Sequence, residues 1–349
     1  MRALTISDHG GLDRVEFRDD VAIPELRTST EVRIRLTAAA LNHLDLFVVG
    51  GLAGVTIAPP WILGADGTGV VEAAGSAVTT IGVGDRVLIN PGISCRECEY
   101  CRTGEQSLCV KFGLLGEHRP GSFAEFIVLP AENVRRVPAG RTDLSDAQAA
   151  AYTLATLTAW RMLATRAHVQ AGENVLVQGI GGGVAIASLL IAKRLGARVW
   201  VTSSSEEKLA RARELGADET LNYTTMDVAR EIRARTGKRG VDVVIDSAGS
   251  ASWGQSLGAL GRGGRLVTCG GTTGATVETD VRKLFWNQWT LLGSTMGSDA
   301  EFDAIVAELA AGGLVMPVDS VFPLERGREA LERMAAGSHF GKIVLSIAS

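Results

Sequence analysis

Val175-Leu176-Val177-Gln178-Gly179-Ile180-Gly181-Gly182-Gly183-Val184-Ala185 joins a short apolar strand to a helical stretch running from Gly183 to Leu195. Glycines in such a turn let backbone N–H groups approach a pyrophosphate, and the helix N-terminus adds a partial positive charge. Two frames of the G-x-G-x-x-G pattern are available. Counted from Ile180 its positions hold Ile180, Gly182 and Ala185; counted from Gly179 they hold Gly179, Gly181 and Val184. The first is the better frame, because close helix–strand packing needs a small final residue. The competing reading is a ligand-free glycine-rich turn; the strand before it and the helix after it favour the dinucleotide. Gly181, Gly182, Gly183 and Val184 are therefore expected to line a cofactor.

The same alternation continues outward. Arg198-Val199-Trp200-Val201 reads as a strand and Ser205 to Leu215 as an amphipathic helix. Further strands are expected at 219–223, 241–246, 264–269 and 290–294, with helices between. Six strands alternating with helices imply an α/β fold with a Rossmann, doubly wound parallel sheet. The tail predicts a helix at 299–311, a strand at 319–322, a helix at 325–336 and a strand from Lys342 to Ile347, assignable to either domain. The end of the second strand decides the cofactor, because NAD sites place an Asp or Glu there for the ribose hydroxyls. Here Thr202-Ser203-Ser204-Ser205 precedes Glu206-Glu207-Lys208, with no carboxylate at the strand end itself. Ser203, Ser204 and Lys208 offer donors to a 2′-phosphate, which favours NADPH; serines there also suit the cap of the next helix.

Residues 1 to about 155 follow a different period. Glu31-Val32-Arg33-Ile34-Arg35-Leu36 and Phe123-Ala124-Glu125-Phe126-Ile127-Val128 alternate like strands. This half predicts an all-β, barrel-like domain. With 349 residues, two domains are the natural expectation. A net charge of −4 without a long run of one sign argues against nucleic-acid binding. No apolar run approaches a membrane span, and the start carries no secretory pattern, so a cytoplasmic protein is expected.

Four of the five cysteines, Cys95, Cys98, Cys101 and Cys109, fall within fifteen residues as C-x2-C-x2-C-x7-C. Four thiolates satisfy one tetrahedral zinc and leave no open position, so this metal is expected to shape a loop and do no chemistry. Disulfides would need an oxidising compartment. Iron–sulfur runs space the last cysteine differently and often follow it with proline; Val110 follows Cys109. Cys269 reads as a small core residue in a strand.

These features, with Met1-Arg2-Ala3-Leu4, Gly64-Ala65-Asp66-Gly67-Thr68-Gly69, Gly84-Asp85-Arg86-Val87, Leu157-Thr158-Ala159, Leu215-Gly216-Ala217-Asp218 and Gly341-Lys342-Ile343-Val344, resemble the medium-chain dehydrogenase/reductase superfamily over essentially the whole chain. That group holds the zinc alcohol dehydrogenases and the NADPH quinone reductases. The resemblance implies a GroES-like catalytic domain at 1–155 with a structural-zinc lobe at 91–112, a Rossmann NADP-binding domain at 156–298, and a segment at 299–349 that returns to the catalytic side. It implies a cofactor in the cleft between the domains and adds Thr158, Gly270, Gly271, Lys342 and Tyr223 to its site. It also implies a homodimer or homotetramer.

The resemblance also supplies a test for a catalytic zinc. The family's alcohol dehydrogenases carry Cys-His-x-Asp, Gly-His-Glu and a later Cys. This chain has Asn42-His43-Leu44-Asp45, Gly64-Ala65-Asp66 and, as aligned, Leu154. No catalytic zinc is expected, although His43 and Asp66 are available for a makeshift site. Asn42 with Asp45, and Asn222-Tyr223, resemble the zinc-free quinone reductases instead. Without a Lewis acid, a conjugated acceptor is the easier substrate. The expected activity is NADPH-dependent reduction of a quinone, enone or other activated double bond in a small molecule. The alternatives are an NADP(H)-dependent alcohol or aldehyde dehydrogenase, and a nucleotide-binding sensor or structural protein with little turnover. Asn42, His43, Asp45 and His118 are the candidate catalytic residues, with loop organisation as the alternative for Asn42, a surface position for His43, a structural acceptor role for Asp45, and for His118 either a proton donor or a solvated loop residue. Phe47, Trp61, Trp286 and Trp289 are candidates for an aromatic wall, with core or subunit contact as the alternative.

Overall fold

A computed structural model describes residues 1–52 and 54–347. The chain forms two compact units, one from Met1–Leu154 with Ser298–Ser349 and one from Ala155–Gly297.

The second unit is the Rossmann fold. Its six parallel strands are ordered Glu219–Asn222, Arg198–Ser203, Asn174–Val177, Val241–Asp246, Leu260–Thr268, Thr290–Gly293. The strands are apolar because helices cover a doubly wound sheet: Val175, Leu176, Val177, Val199, Val201, Val243 and Val244 are all fully buried. The strand order reverses between Asn174–Val177 and Val241–Asp246, and ligands of such sheets bind outside the carboxyl ends at that point. Leu260–Thr268 begins four residues before the expected 264. Leu260 pairs with Val241, and a register shift between Val241 and Val243 absorbs the glycines at 261, 263 and 264. Cys269 lies just past this strand's end.

The first unit is built on a seven-stranded sheet. Its long strand Glu31–Ala40 alternates in burial as its sequence alternates in polarity. It pairs with Asp66–Ala74 along one edge, and along the other with Phe126–Pro130 and then Lys342–Ser346. The returning tail is therefore part of this sheet. Val344 stands opposite Ala40, and Leu41 N–H donates to Ile343 O at 2.9 Å, which sets Lys342 beside Asn42. No helix among the described residues is long and apolar enough to cross a membrane.

Candidate functional site

The three segments that the resemblance aligns with metal-binding positions meet at one carboxylate. Asp66 is fully buried at the start of its strand, two residues after Gly64. Gly64 has φ +98°, and a Cβ there would lie 2.2 Å from the Phe123 ring, so only glycine lets the chain turn into Asp66. Asp66 Oδ1 accepts from Thr153 Oγ1 and from Leu154 N, each at 2.6 Å. Those donors open the helix Thr153–Trp160, whose N-terminal end favours a negative charge. Asp66 Oδ2 accepts from Asn42 Nδ2 and Lys342 Nζ, each at 3.0 Å. Lys342 Nζ also donates to Asn42 Oδ1 at 2.5 Å. Lysine, aspartate and amide thus form a closed buried set, its ion pair only 3% and 0% exposed. A buried pair of this kind needs further hydrogen bonds beside the ion pair, and here Asn42, Thr153 and the Leu154 amide supply them.

The neighbouring candidates have different surroundings. Asp45 is buried, and its Oδ2 accepts from Asn42 N at 2.7 Å to close the cap of the helix His43–Gly50. Burial pushes its carboxyl up to about 7, against the Asn42 hydrogen bond and the Lys342 charge. His43 lies in the first turn of that helix, its ring 6.2 Å from that of Phe47. Surrounding protein, and then the Lys342 charge, lowers the His43 pKa and so favours a neutral imidazole. His118 is half exposed on its loop, with Nδ1 accepting from Leu114 N at 3.3 Å. Trp61 is buried and donates Nε1–H to Gly116 O at 2.8 Å. Trp289 donates to Gly261 O at 2.9 Å, whereas Trp286 is exposed.

In the Rossmann unit the residues fit a dinucleotide. Gly182 stands at the N-cap of the helix Gly183–Arg194 and has no side chain to occupy the helix's first N–H groups. A Cβ at Gly182 would meet nothing within 4 Å, while one at Gly181 would lie 3.2 Å from Lys208 Nζ. The lysine expected to meet the cofactor thus lies over the glycine turn. Ser205 Oγ accepts from Lys208 N at 3.3 Å, and Ser203 Oγ accepts from Ser205 N at 3.1 Å, so both serines shape this turn. Ser204 and Tyr223 are exposed. One contact was not legible in the sequence: Glu206 Oε1 accepts from Asn222 Nδ2 at 2.6 Å, which holds a carboxylate near the ends of two adjacent strands. Thr158 Oγ1 contacts Met296 Sδ at 3.6 Å. The loop carrying Gly270 and Gly271 is tied to the loop after Asp246 by Thr273 N to Ala248 O at 2.8 Å. Asp246 itself anchors that loop through Ser252 and Ser256 hydroxyls and the Ala248 and Gly249 amides.

The four lobe cysteines converge, with all Sγ atoms within 4.8 Å of one another. Cys95–Cys101, Cys98–Cys101 and Cys95–Cys109 sulfurs are 3.9, 3.5 and 3.4 Å apart. Tetrahedral bonds of about 2.3 Å set sulfurs about 3.8 Å apart, so the donor set fits zinc. Amides of Cys95, Cys98 and Lys111 point at sulfur, as they do around a thiolate-bound metal. Among the described residues this is the one cluster of three or more His, Cys, Asp or Glu side chains arranged to hold a metal.

Comparison with known proteins agrees with this architecture. Residues 28–139 match the family described as alcohol dehydrogenase GroES-like domain, and residues 183–311 match zinc-binding dehydrogenase. The chain is 32% identical to a zinc-type alcohol dehydrogenase-like protein of Schizosaccharomyces pombe, over 99% of both chains. The chain belongs to the medium-chain dehydrogenase/reductase superfamily. Within that superfamily it is 29% identical to human quinone oxidoreductase over 99% of this chain and 97% of the relative. A crystal structure titled NAD-dependent alcohol dehydrogenase superposes with a TM-score of 0.95 at 42% identity, over the full length of both chains. As a medium-chain dehydrogenase/reductase, the protein is an oxidoreductase. Thr153 and Ser122 escaped the sequence reading. Ser122 Oγ donates to Asp66 O at 2.7 Å, and no periodicity marks such a contact.

Proposed function

We propose that this chain is an NADPH-dependent reductase without a catalytic zinc, acting on a quinone, enone or other activated double bond. The observation that carries this reading is the commitment of Asp66. Each carboxylate oxygen already accepts two hydrogen bonds, and Oδ2 takes one of its two from an ammonium. A dication bound by Asp66 would face the Lys342 charge 3.0 Å from the same oxygen. The other two aligned positions offer a neutral amide already engaged and an aliphatic side chain, where zinc favours thiolate and imidazole.

Without the metal, several kcal/mol of polarisation at a carbonyl oxygen is missing. A conjugated acceptor needs less, because hydride addition at its β-carbon gives a delocalised enolate. When bound, the reduced nicotinamide supplies that hydride. The protein's own part is to orient the two reactants and exclude water. Gly181, Gly182, Gly183 and Val184 would cradle the pyrophosphate. Thr158, Gly270, Gly271 and Tyr223 are proposed to line the rest of the cofactor. Ser203, Ser204 and Lys208 would meet the 2′-phosphate. Lys342, held by Asp66 and Asn42, keeps the region of His43 electropositive. Asn42 and Asp45 fix the turn that presents His43, and His118 borders the same unit's loop.

NADPH consumption across quinones, enones, enoyl thioesters and aldehydes tests the reading. Turnover is expected with conjugated acceptors and absent with simple alcohols plus NADP. Binding of NADPH without turnover of any acceptor would favour a binding protein instead. Lys208→Ala is expected to weaken NADPH binding tenfold or more and NADH binding little, measured as the ratio of their Kd values.

A second reading, an alcohol or aldehyde dehydrogenase, draws on two observations. The chain shares 42% identity with a structure titled NAD-dependent alcohol dehydrogenase, and Glu206 places a carboxylate beside Asn222, where it can meet ribose hydroxyls. A preference for NADH by tenfold would support it. Val281, Phe285 and Trp286 are exposed near the edge strand Thr290–Gly293, which supports a homo-oligomer. A cytoplasmic location fits the closed thiolate cluster.

A further inference from the structure

The strand Phe126–Pro130 has one edge in the sheet and one edge free. Leu36 N donates to Glu125 O at 2.8 Å and Ala131 N to Thr30 O at 2.9 Å, while Ile34 stands opposite Ile127 and Val32 opposite Leu129. Bonded and non-bonded pairs alternate along an antiparallel ladder. Ile127 and Leu129 therefore face Glu31–Ala40, and the N–H and C=O groups of Phe126 and Val128 point away from it. Those outward groups have no hydrogen-bond partner among the described residues. The strand Ala3–Ile6 meets this part of the chain only earlier, through the Ala3–Ala124 bridge, and Arg2 O accepts from Glu125 N at 3.1 Å.

A groove of about 790 Å³ runs along the free edge, within the first unit. Phe126, Ile127, Val128 and Leu129 all line it. Successive side chains of a strand point to opposite faces, so a groove touching four in succession follows the edge rather than one face. Residues 22–27 supply a further wall without forming a helix or strand, and Ile23 there is left 49% exposed. An open edge is ordinarily blunted by charges, a bulge or a covering element. Phe126-Ile127-Val128-Leu129 carries no charge. Arg27 and Arg119 also line the groove, and neither side chain has an acidic partner among the described residues. Glu31 accepts from the Arg27 and Thr28 amides, which leaves Glu25 as the one uncommitted acid of the lining. The balance of free charge is positive.

We propose that this groove takes an acidic, extended peptide as an added strand, paired with the outward N–H and C=O groups of Phe126 and Val128 and bringing carboxylates to Arg27 and Arg119. Free donors and acceptors in strand geometry are matched by another extended backbone, and flanking apolar walls receive its alternate side chains. The charge balance selects acidic residues on that segment. The site lies within one unit and is independent of which acceptor the chain reduces.

The probe is a fluorescein-labelled synthetic peptide, Asp-Val-Thr-Val-Thr-Asp, titrated into the full chain and read by anisotropy, with amide exchange followed in parallel. In the free chain the Phe126 and Val128 amides should exchange about 100-fold faster than those of Ile127 and Leu129, and saturating peptide should slow them about tenfold. Val128→Pro removes an outward N–H and keeps the ladder to Glu31–Ala40, so it should weaken the peptide about tenfold while Ile127 and Leu129 stay protected. A second comparison leaves the protein unaltered. N-methylation of either the peptide's valines or its threonines should cost about tenfold in one case and little in the other, because only alternate residues face the edge. Arg27→Ala with Arg119→Ala should weaken binding about fivefold at low salt and little at high salt. Absence of saturable binding up to about 1 mM peptide overturns the proposal. Equal loss with both methylated peptides also overturns it. So does protection of Val128 in the free chain; protection that vanishes on dilution would assign the groove to a second copy. Decanoate binding without peptide binding would assign it to a small apolar anion and overturn it as well.

Discussion

Lys342→Met is expected to destabilise the first unit by about 3–5 kcal/mol, because it strips the cation from a buried pair and leaves the Asp66 charge behind. Asp66 is fully buried, and Lys342 Nζ supplies one of two donors to its Oδ2 as well as the sole side-chain donor to Asn42 Oδ1 among the described residues. The methionine stem replaces the lysine stem without a charge, so packing is largely kept and the loss reports the ion pair. Denaturant unfolding followed by fluorescence of the buried Trp61 region measures it. Adding Asp66→Asn to Lys342→Met should recover a large share, since one uncharged amide replaces the orphaned carboxylate. A coupling energy near zero between the two positions would mean that the pair does not hold this site.

The second large effect concerns the cysteine lobe. Its regular structure is one two-residue strand, Gly92–Ile93, one four-residue helix, Glu99–Arg102, and one short turn, Gln106–Leu108. Tyr100, Leu108 and Val110 are exposed, so the lobe has little core of its own. Zinc binding of about 10–16 kcal/mol in small zinc-finger peptides shows how much order one such ion supplies. Cys98→Ser with Cys109→Ser is expected to abolish zinc retention and open the chain between residues 95 and 112 to limited proteolysis, while the Rossmann unit stays resistant. The lobe also holds the helix Asp299–Ala310. Arg96 pairs with Asp299, and Gln106 Oε1 accepts from Asp299 N at 3.2 Å. Loss of zinc should therefore loosen that helix's first turn, read as faster amide exchange at 299–302.

The fold was largely legible because its signals are local. A glycine turn between an apolar strand and a helix, repeated strand–helix alternation and four cysteines in fifteen residues each announce themselves within a short window. The site was less legible because its contacts are not local. Lys342 and Asp66 are 276 residues apart, and only the pairing of Lys342–Ser346 with Glu31–Ala40 brings them together. The sequence marked Lys342 as a cofactor contact by resemblance and Asn42 as a candidate catalytic residue; the fold engages both with Asp66. Glu206 illustrates the same gap. Its position suggested a helix start, whereas its hydrogen bond to Asn222 depends on two strands lying side by side.

The zinc content of the purified protein, measured by mass spectrometry against protein concentration, tests the central claim most directly. On the proposed reading, the Lys342 ammonium beside Asp66 leaves the cysteine lobe as the single tight zinc site. The account predicts one zinc per chain in the wild type and none in Cys98→Ser with Cys109→Ser. Two tightly held zinc ions per chain, one of them surviving loss of the lobe cysteines and released by Asp66→Ala, would contradict it.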